Sequence, residues 1–79
     1  IAGSGPNAAV IHHRATPESD RRIGADECFL LDSGGQYLDG TTDVTRTLWT
    51  GPGHPPEELR ARWTRVLQGH IALATLRFP

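Results

Sequence analysis

Two β-prone runs on either side of a turn signal constrain the fold of this chain more than any other feature. Residues 28–31, Cys-Phe-Leu-Leu, form a continuous apolar run that is typical of a strand buried on both faces. Residues 41–47 are rich in threonine and valine, whose branched side chains favour strands. Between the runs, Asp39-Gly40 is a turn signal. The pattern predicts a β-hairpin over residues 27–50, ended by Gly51-Pro52-Gly53.

An amphipathic helix is predicted to follow, over about residues 55–78. Pro55 and Pro56 stand at its start, where a missing backbone N–H costs nothing. The two glutamates that follow suit the positive end of the helix dipole. Six apolar residues then recur at helical spacing and make one stripe: Leu59, Trp63, Val66, Leu67, Ile71 and Ala74.

Residues 1–26 are punctuated by glycine, serine and proline around one short apolar run. Residues 10–13, Val-Ile-His-His, are predicted to form a short strand, and residues 17–20 a turn or loop. With the hairpin and the helix, this predicts an α+β fold. Its antiparallel strands are expected within residues 8–50, and its one long helix lies at the C-terminal end.

Size and charge exclude several classes of function. A chain of 79 residues makes one small domain with a thin core, since such a chain buries only roughly 60% of its unfolded surface. Its net charge of −1 offers no basic face for nucleic acid, and no apolar run has the roughly 20 residues of a membrane helix. A single cysteine excludes an internal disulfide and fits the cytoplasm. Because the chain opens on Ile1 and stops straight after a helical pattern, we expect a piece of a longer protein.

Asp32 and Asp43 are the candidate metal-binding pair. Asp32 ends an apolar strand, where an isolated carboxylate is costly to bury. Asp43 interrupts a stretch that otherwise suits a strand. Two carboxylates brought together repel each other unless a cation or a shared proton lies between them, and a divalent metal removes the repulsion. Spacing alone equally allows both aspartates to be turn and cap residues.

The hairpin register decides whether the two aspartates meet. If the turn is centred between Tyr37 and Leu38, Asp32 lies directly opposite Asp43. If Asp39-Gly40 form the loop, Asp43 faces Gln36 and the carboxylates lie about 13 Å apart at ~3.3 Å per residue. The pair shares a face in both registers, because side chains alternate with a period of two. We expect the first register, since of the two it alone makes a joint site.

The string around these aspartates resembles the Xaa-Pro aminopeptidase (aminopeptidase P) branch of metallopeptidase family M24. This is the methionine aminopeptidase/prolidase/creatinase superfamily. Residues 32–37 read Asp-Ser-Gly-Gly-Gln-Tyr, and residues 39–47 read Asp-Gly-Thr-Thr-Asp-Val-Thr-Arg-Thr. The eleven-residue step from Asp32 to Asp43 matches the first two metal ligands of the family. Upstream, Ser4-Gly5-Pro6-Asn7 and His12 are similar to the family's Ser-Gly-x-Asn…His stretch, and residues 66–72 resemble its helix.

The resemblance implies the pita-bread fold and hydrolysis of the bond between an N-terminal residue and a following proline. The family uses two divalent metal ions, usually Mn²⁺, held by five side chains, to activate a bridging water and polarise the carbonyl. By resemblance, Asp32 chelates one metal and Asp43 bridges both. His12 is then the catalytic and substrate-binding residue, which holds the peptide or the developing charge. The implied partner is a peptide with proline in the second position.

Other parts of the resemblance predict that this chain alone is incomplete. The family's histidine ligand and two glutamate ligands come from later chain segments, which would follow Pro79. His13 stands where the family usually has tyrosine. We therefore expect an active parent protein, an inactive 79-residue chain, and a need for the rest of the catalytic domain or a second copy.

Two alternatives stay open. A non-catalytic pita-bread module that holds protein partners belongs to a different functional class, but such relatives usually lose the metal aspartates. Prolidase, within the same superfamily, keeps the aspartate pair, and creatinase does not use the metals. The tract over residues 39–47 favours aminopeptidase P. A later His-Gly-x-Gly-His-like stretch and two later glutamates would distinguish a peptidase from a binding module.

Overall fold

A three-stranded antiparallel sheet is the framework of the computed structural model, which describes all residues from Ile1 to Pro79. Strand β1 (Ala2–Ser4) pairs with β2 (Cys28–Tyr37), which pairs with β3 (Gly40–Trp49). A short 3₁₀ helix (Gly5–Ala9) follows β1, and helix α1 (Glu57–Ala74) follows β3. The predicted α+β fold is confirmed.

The predicted hairpin forms, but both predicted registers are wrong. Tyr37 pairs with Gly40, so the two loop residues are Leu38 and Asp39. The pairing runs without interruption from there to Cys28 and Trp49.

Contacts between Thr42 and two β2 glycines fit the observed register. A Cβ on Gly34 would lie 2.8 Å from the carbonyl oxygen of Thr42. The Gly35 amide donates to Thr42 Oγ1 at 3.0 Å. Glycine is thus required where Thr42 comes closest, whereas Gly40 has open space around it and is free to join the ladder.

The predicted strand over residues 10–13 is wrong. The chain leaves the 3₁₀ helix through a turn, and His12 has a φ of 55°, which is left-handed and incompatible with a strand. The first strand instead lies at residues 2–4, outside the predicted limits. Ile1 extends its pairing, because the N-terminal amine donates to Asp32 O at 2.7 Å and Asp32 N donates to Ile1 O at 2.9 Å. The three small residues of β1 show no alternation of apolar and polar side chains, so the sequence pattern does not predict this strand.

The predicted helix begins at Glu57 and ends at Ala74, inside its predicted limits. Pro56 precedes it in an extended conformation, and the Thr75 hydroxyl closes its last turn by donating to Ile71 O at 2.8 Å. On its exposed side, Glu57 pairs with Arg60 at 3.2 Å. No helix of the chain combines the length and the apolar character needed to cross a membrane.

The long connection between β1 and β2 is tied down by one arginine. Arg21 Nη1 donates to Ser4 Oγ at 3.1 Å and to Glu27 Oε2 at 2.8 Å. The other carboxylate oxygen of Glu27 accepts the Gly24 amide at 2.7 Å. Ser4 is the most buried polar side chain of the chain, at 4% exposure. The connection is therefore fastened to the end of β1.

The chain has no buried hydrophobic core. Helix α1 touches the sheet through Trp63, whose Nε1 donates to Thr47 O at 3.3 Å. Even so, Trp63 is 47% exposed and Val66 is 74% exposed. The radius of gyration is 15.3 Å, against about 12 Å for a compact domain of this length. The sequence predicts a thin core, but no apolar residue is fully buried, and the apolar stripe of α1 lies open.

We predict that the isolated chain does not unfold as a cooperative monomer at high dilution. Too little apolar surface is buried to offset the conformational entropy of ordering the chain. Circular dichroism during urea unfolding should show a broad transition that sharpens as protein concentration rises. Val66→Asp should remove the concentration dependence, whereas Gln68→Asp, a charge placed off the stripe, should leave it unchanged. A sharp transition that is independent of concentration contradicts this.

A second prediction concerns acid. The hydrogen bond from the Gly24 amide, with that from Arg21, holds the pKa of Glu27 below its ordinary value of 4.5. A carboxylate with a lowered folded-state pKa stabilises the fold above its unfolded pKa, and this is lost as pH falls through the folded-state value. The Gly24 amide proton resonance should therefore move only below pH 4.5.

Glu27→Gln should abolish that movement and loosen the connection at neutral pH. Glu18→Gln is the control, because it removes another carboxylate of lowered pKa without touching Gly24. A Gly24 shift that moves at or above the ordinary carboxylate pKa would contradict the assignment.

Candidate metal centre

Asp32 and Asp43 lie on the same face of the hairpin as diagonal neighbours. Asp32 is directly opposite Thr45, and Asp43 is directly opposite Gly34. The two aspartates are thus displaced by two residues along the strands, which corresponds to about 7–8 Å between Cα atoms. This spacing lies between the direct pairing and the wide separation of the two predicted registers. It leaves room for cations between the carboxylates.

The four positions around this diagonal form a small polar cradle, which we define as Asp32, Gly34, Asp43 and Thr45. The two aspartates occupy opposite corners, and Thr45, with its hydroxyl, occupies the third. Gly34, directly opposite Asp43, occupies the fourth corner and adds no side chain there. The arrangement can place oxygen donors around a hard divalent cation.

The strands hold the two carboxylates with different rigidity. Asp32 is half-buried in the central strand. Its backbone is hydrogen-bonded to Ile1 on one side, and it pairs with Thr45 of β3 on the other. Asp43 is exposed on the edge strand β3. Asp32 is therefore the fixed member of the pair, and Asp43 is the one that can adjust to a ligand.

The donor set fits part of a metal site. Carboxylate oxygens suit Mn²⁺ and Mg²⁺ better than metals that prefer thiolate. No three histidine, cysteine, aspartate or glutamate side chains are grouped so that they could hold a metal ion. The chain thus brings two carboxylates together and provides no third charged ligand beside them.

His12 lies outside this cradle. It is exposed in the turn after the 3₁₀ helix and does not join the aspartates in a ligand cluster. Its loop departs from Ser4, which pairs with Phe29 three residues before Asp32 on β2. The catalytic and substrate-binding roles of His12, like the metal roles of Asp32 and Asp43, stay predictions.

The best-formed cleft of the chain lies elsewhere. It measures about 440 Å³ between the end of the hairpin and the start of α1, and it includes Cys28, Trp49 and Trp63. Neither aspartate nor His12 lines it. The indole N–H of Trp49 is buried there without a partner, which fits incomplete packing of helix on sheet rather than a reaction site.

Sequence reasoning missed the link between Arg21, Ser4 and Glu27. The arginine and the glutamate are six residues apart in an irregular stretch, and their partner Ser4 is seventeen residues from the arginine. No helical or strand period joins such positions, so no local pattern could have revealed the link.

The whole chain, residues 1–79, matches the family model described as metallopeptidase family M24. It is 53% identical over 79 residues to "Probable Xaa-Pro aminopeptidase P" of Laccaria bicolor, covering 100% of this chain and 12% of that protein. It is 52% identical over 79 residues to "Aminopeptidase P2" of Arabidopsis thaliana, covering 100% of this chain and 11% of that protein. Human "Xaa-Pro aminopeptidase 2" is 51% identical over 80 residues, again with 100% and 11% covered. No solved structure matches the chain.

The chain thus spans about one eighth of the length of the curated relatives it matches. The three-stranded sheet and the C-terminal helix are consistent with a fragment of the pita-bread domain of such enzymes. A family-model match over every residue and relatives at about half identity agree with the resemblance seen around the two aspartates, and the chain belongs to metallopeptidase family M24.

Proposed function

We propose that this chain supplies the first two metal-binding carboxylates of an aminopeptidase that removes the N-terminal residue ahead of proline. The observation that carries the proposal is the hairpin register, which sets Asp32 and Asp43 diagonally on one face. The named activity of the relatives gives the reaction class, and the carboxylate pair gives the chain a part in it.

Each residue has a distinct task in this proposal. Asp32, in the central strand, and Asp43, on the edge strand, would be the two charged residues that hold the divalent ions. Thr45 offers a neutral oxygen on the same face. When bound, the ions supply a Lewis acid for the peptide carbonyl and lower the pKa of a water molecule. His12 donates a hydrogen bond to the peptide substrate or to the negative charge that develops on it.

Finer features follow from the same donor set. We expect Mn²⁺, because it is the ion that the family resemblance implies and it accepts carboxylate oxygens as ligands. The 79-residue chain alone should be inactive, since two carboxylates do not complete a dinuclear site. The remaining ligands must come from further residues of the same catalytic domain. A single half-buried cysteine suits a reducing compartment such as the cytoplasm.

The exposed stripe of α1 favours a second function, a non-catalytic pita-bread module that binds protein partners. Large apolar side chains left open to water mark interaction sites in many proteins. Such a module has no use for a carboxylate pair on one strand face. Prolidase activity remains an alternative within the family, although the relatives named above are Xaa-Pro aminopeptidases.

Metal titration tests the pair directly. Calorimetric titration with Mn²⁺ should show weak, millimolar binding to this chain, because two carboxylates without a third charged ligand bind a divalent ion loosely. Asp32→Ala and Asp43→Ala should each abolish the heat signal. Asp39→Ala, which removes an exposed carboxylate from the hairpin loop, should leave it intact. Equal binding by Asp43→Ala and the unchanged chain would exclude a joint site.

Activity is best tested in a complete enzyme. The matching stretch of Arabidopsis aminopeptidase P2 is replaced by these 79 residues, and cleavage of an Xaa-Pro peptide is measured with added Mn²⁺. Asp32→Asn and Asp43→Asn should each lower kcat by more than the roughly 10–100-fold that outer-shell changes cost. Asp39→Asn should retain the activity. An active Asp43→Asn chimera would remove the metal role from this residue.

The same chimera separates the two functional classes. A folded chimera that binds Mn²⁺ but cleaves neither Xaa-Pro peptides nor Xaa-Pro dipeptides would favour the binding module. Selective cleavage of dipeptides would favour prolidase.

A further inference from the structure

The loop that carries His12 is closed by two cross-links at its base. The Asn7 side chain donates from Nδ2 to Ser19 O at 3.0 Å, which brings the two ends of residues 8–18 together. Behind it, Arg21 joins Ser4 at the end of β1 to Glu27 at the start of β2. His12 lies inside this closed segment, so its position depends on both cross-links.

Arg21 is the centre of the second cross-link. Both of its bonds leave from one nitrogen, Nη1, towards Ser4 Oγ and Glu27 Oε2. A Cβ on Gly5 would lie within van der Waals overlap of that nitrogen, and Gly5 has a φ of 55°, which suits glycine. The backbone thus turns out of β1 around the guanidinium itself, and the 3₁₀ helix starts from there.

The burial of the partners makes this contact rigid. Ser4 is 4% exposed, so its hydroxyl has little access to water and relies on Arg21 as a partner. Glu27 is further fixed by the Gly24 amide at 2.7 Å. Arg22, the next residue, is exposed and makes no ion pair. Of the two adjacent arginines, Arg21 alone forms a salt bridge.

We propose that Arg21 is a positioning residue that sets the placement of His12 relative to the aspartate-bearing strand β2. It acts through Ser4, Gly5 and Glu27, and it does not touch substrate or metal. The inference rests on the proposed function insofar as His12 serves the peptidase reaction. The placement itself can be tested without that reaction.

The left-handed backbone of His12 provides the first readout. A residue with a φ of 55° gives a strong nuclear Overhauser effect between its own amide proton and Hα. At the high protein concentration at which the chain is expected to associate and fold, we expect this signal in the unchanged chain and in Arg22→Gln. We expect its loss in Arg21→Gln, with cross-strand signals of the hairpin intact in all three. Arg21→Lys should restore it, because a single ammonium can donate to both Ser4 and Glu27.

A double-mutant cycle in the Arabidopsis chimera provides the second readout. Arg21→Gln should lower kcat about 10-fold with little change in KM, as the loss of a supporting residue does. In a His12→Ala background, the same change should have less than about a twofold effect, because the residue that it places is gone. A general loss of folding would instead lower activity equally in both backgrounds.

The possible outcomes distinguish a failure of the positioning role of Arg21 from a failure of the proposed peptidase function. If His12→Ala leaves the chimera fully active, the proposed role of His12 fails. If His12→Ala is damaging but Arg21→Gln is harmless, or the two effects simply add, Arg21 is not a positioning residue. Retention of the His12 signal in Arg21→Gln, or its absence from the unchanged chain, overturns the inference without reference to activity.

Discussion

Backbone pairing between β2 and β3 is the interaction on which the rest of this structure depends. It joins ten residues on each strand without a bulge, and it fixes which side chains share a face. A shift of one residue in the pairing would move Asp32 and Asp43 to opposite faces of the sheet, so the cradle would no longer form. In a chain without a buried apolar core, few other contacts could correct such a shift. The candidate metal centre is therefore a direct consequence of the ladder.

Two glycines of β2 lie in close contact with their surroundings in the observed register. A side chain at Gly34 would meet the carbonyl oxygen of Thr42, and one at Gly35 would meet the ring of Tyr37. Gly34 also stands directly opposite Asp43 and so forms one corner of the cradle. A side chain at Gly34 would therefore disturb the pairing of the strands next to the candidate metal site.

Much of the fold could be predicted from the sequence, since its two largest elements have strong local signals. The hairpin follows from residues 28–31 and 41–47, and α1 follows from its apolar period and its prolines. The register could not be predicted, because Asp39-Gly40 is the stronger turn signal while crowding at Thr42 is a contact between strands. The strand predicted over residues 10–13 is a turn, since the pattern of residue types does not reveal the left-handed backbone at His12.

The residues of the candidate site and the sheet face that they share could be predicted from the sequence. The distance between the two aspartates could not. Resemblance named Asp32 and Asp43, and the period of two placed them on one side of the sheet. The diagonal offset of the two aspartates and the contacts of Arg21 near the His12 loop could be found only from the coordinates. Sequence patterns report what repeats along a chain, whereas these features arise where distant segments meet.

The exposed stripe and the half-filled metal site share one physical cause. Trp63 and Val66 on α1 lack an apolar cover, and the aspartate pair lacks a third charged ligand. A further segment of chain packed against the sheet and α1 could supply both. It would exclude water from the helix and could carry additional ligand side chains to the cradle. Exclusion of water also strengthens the attraction between a bound cation and its carboxylates. Packing and metal binding should therefore be coupled, and a segment that supplied ligands without covering the helix would leave the site weak.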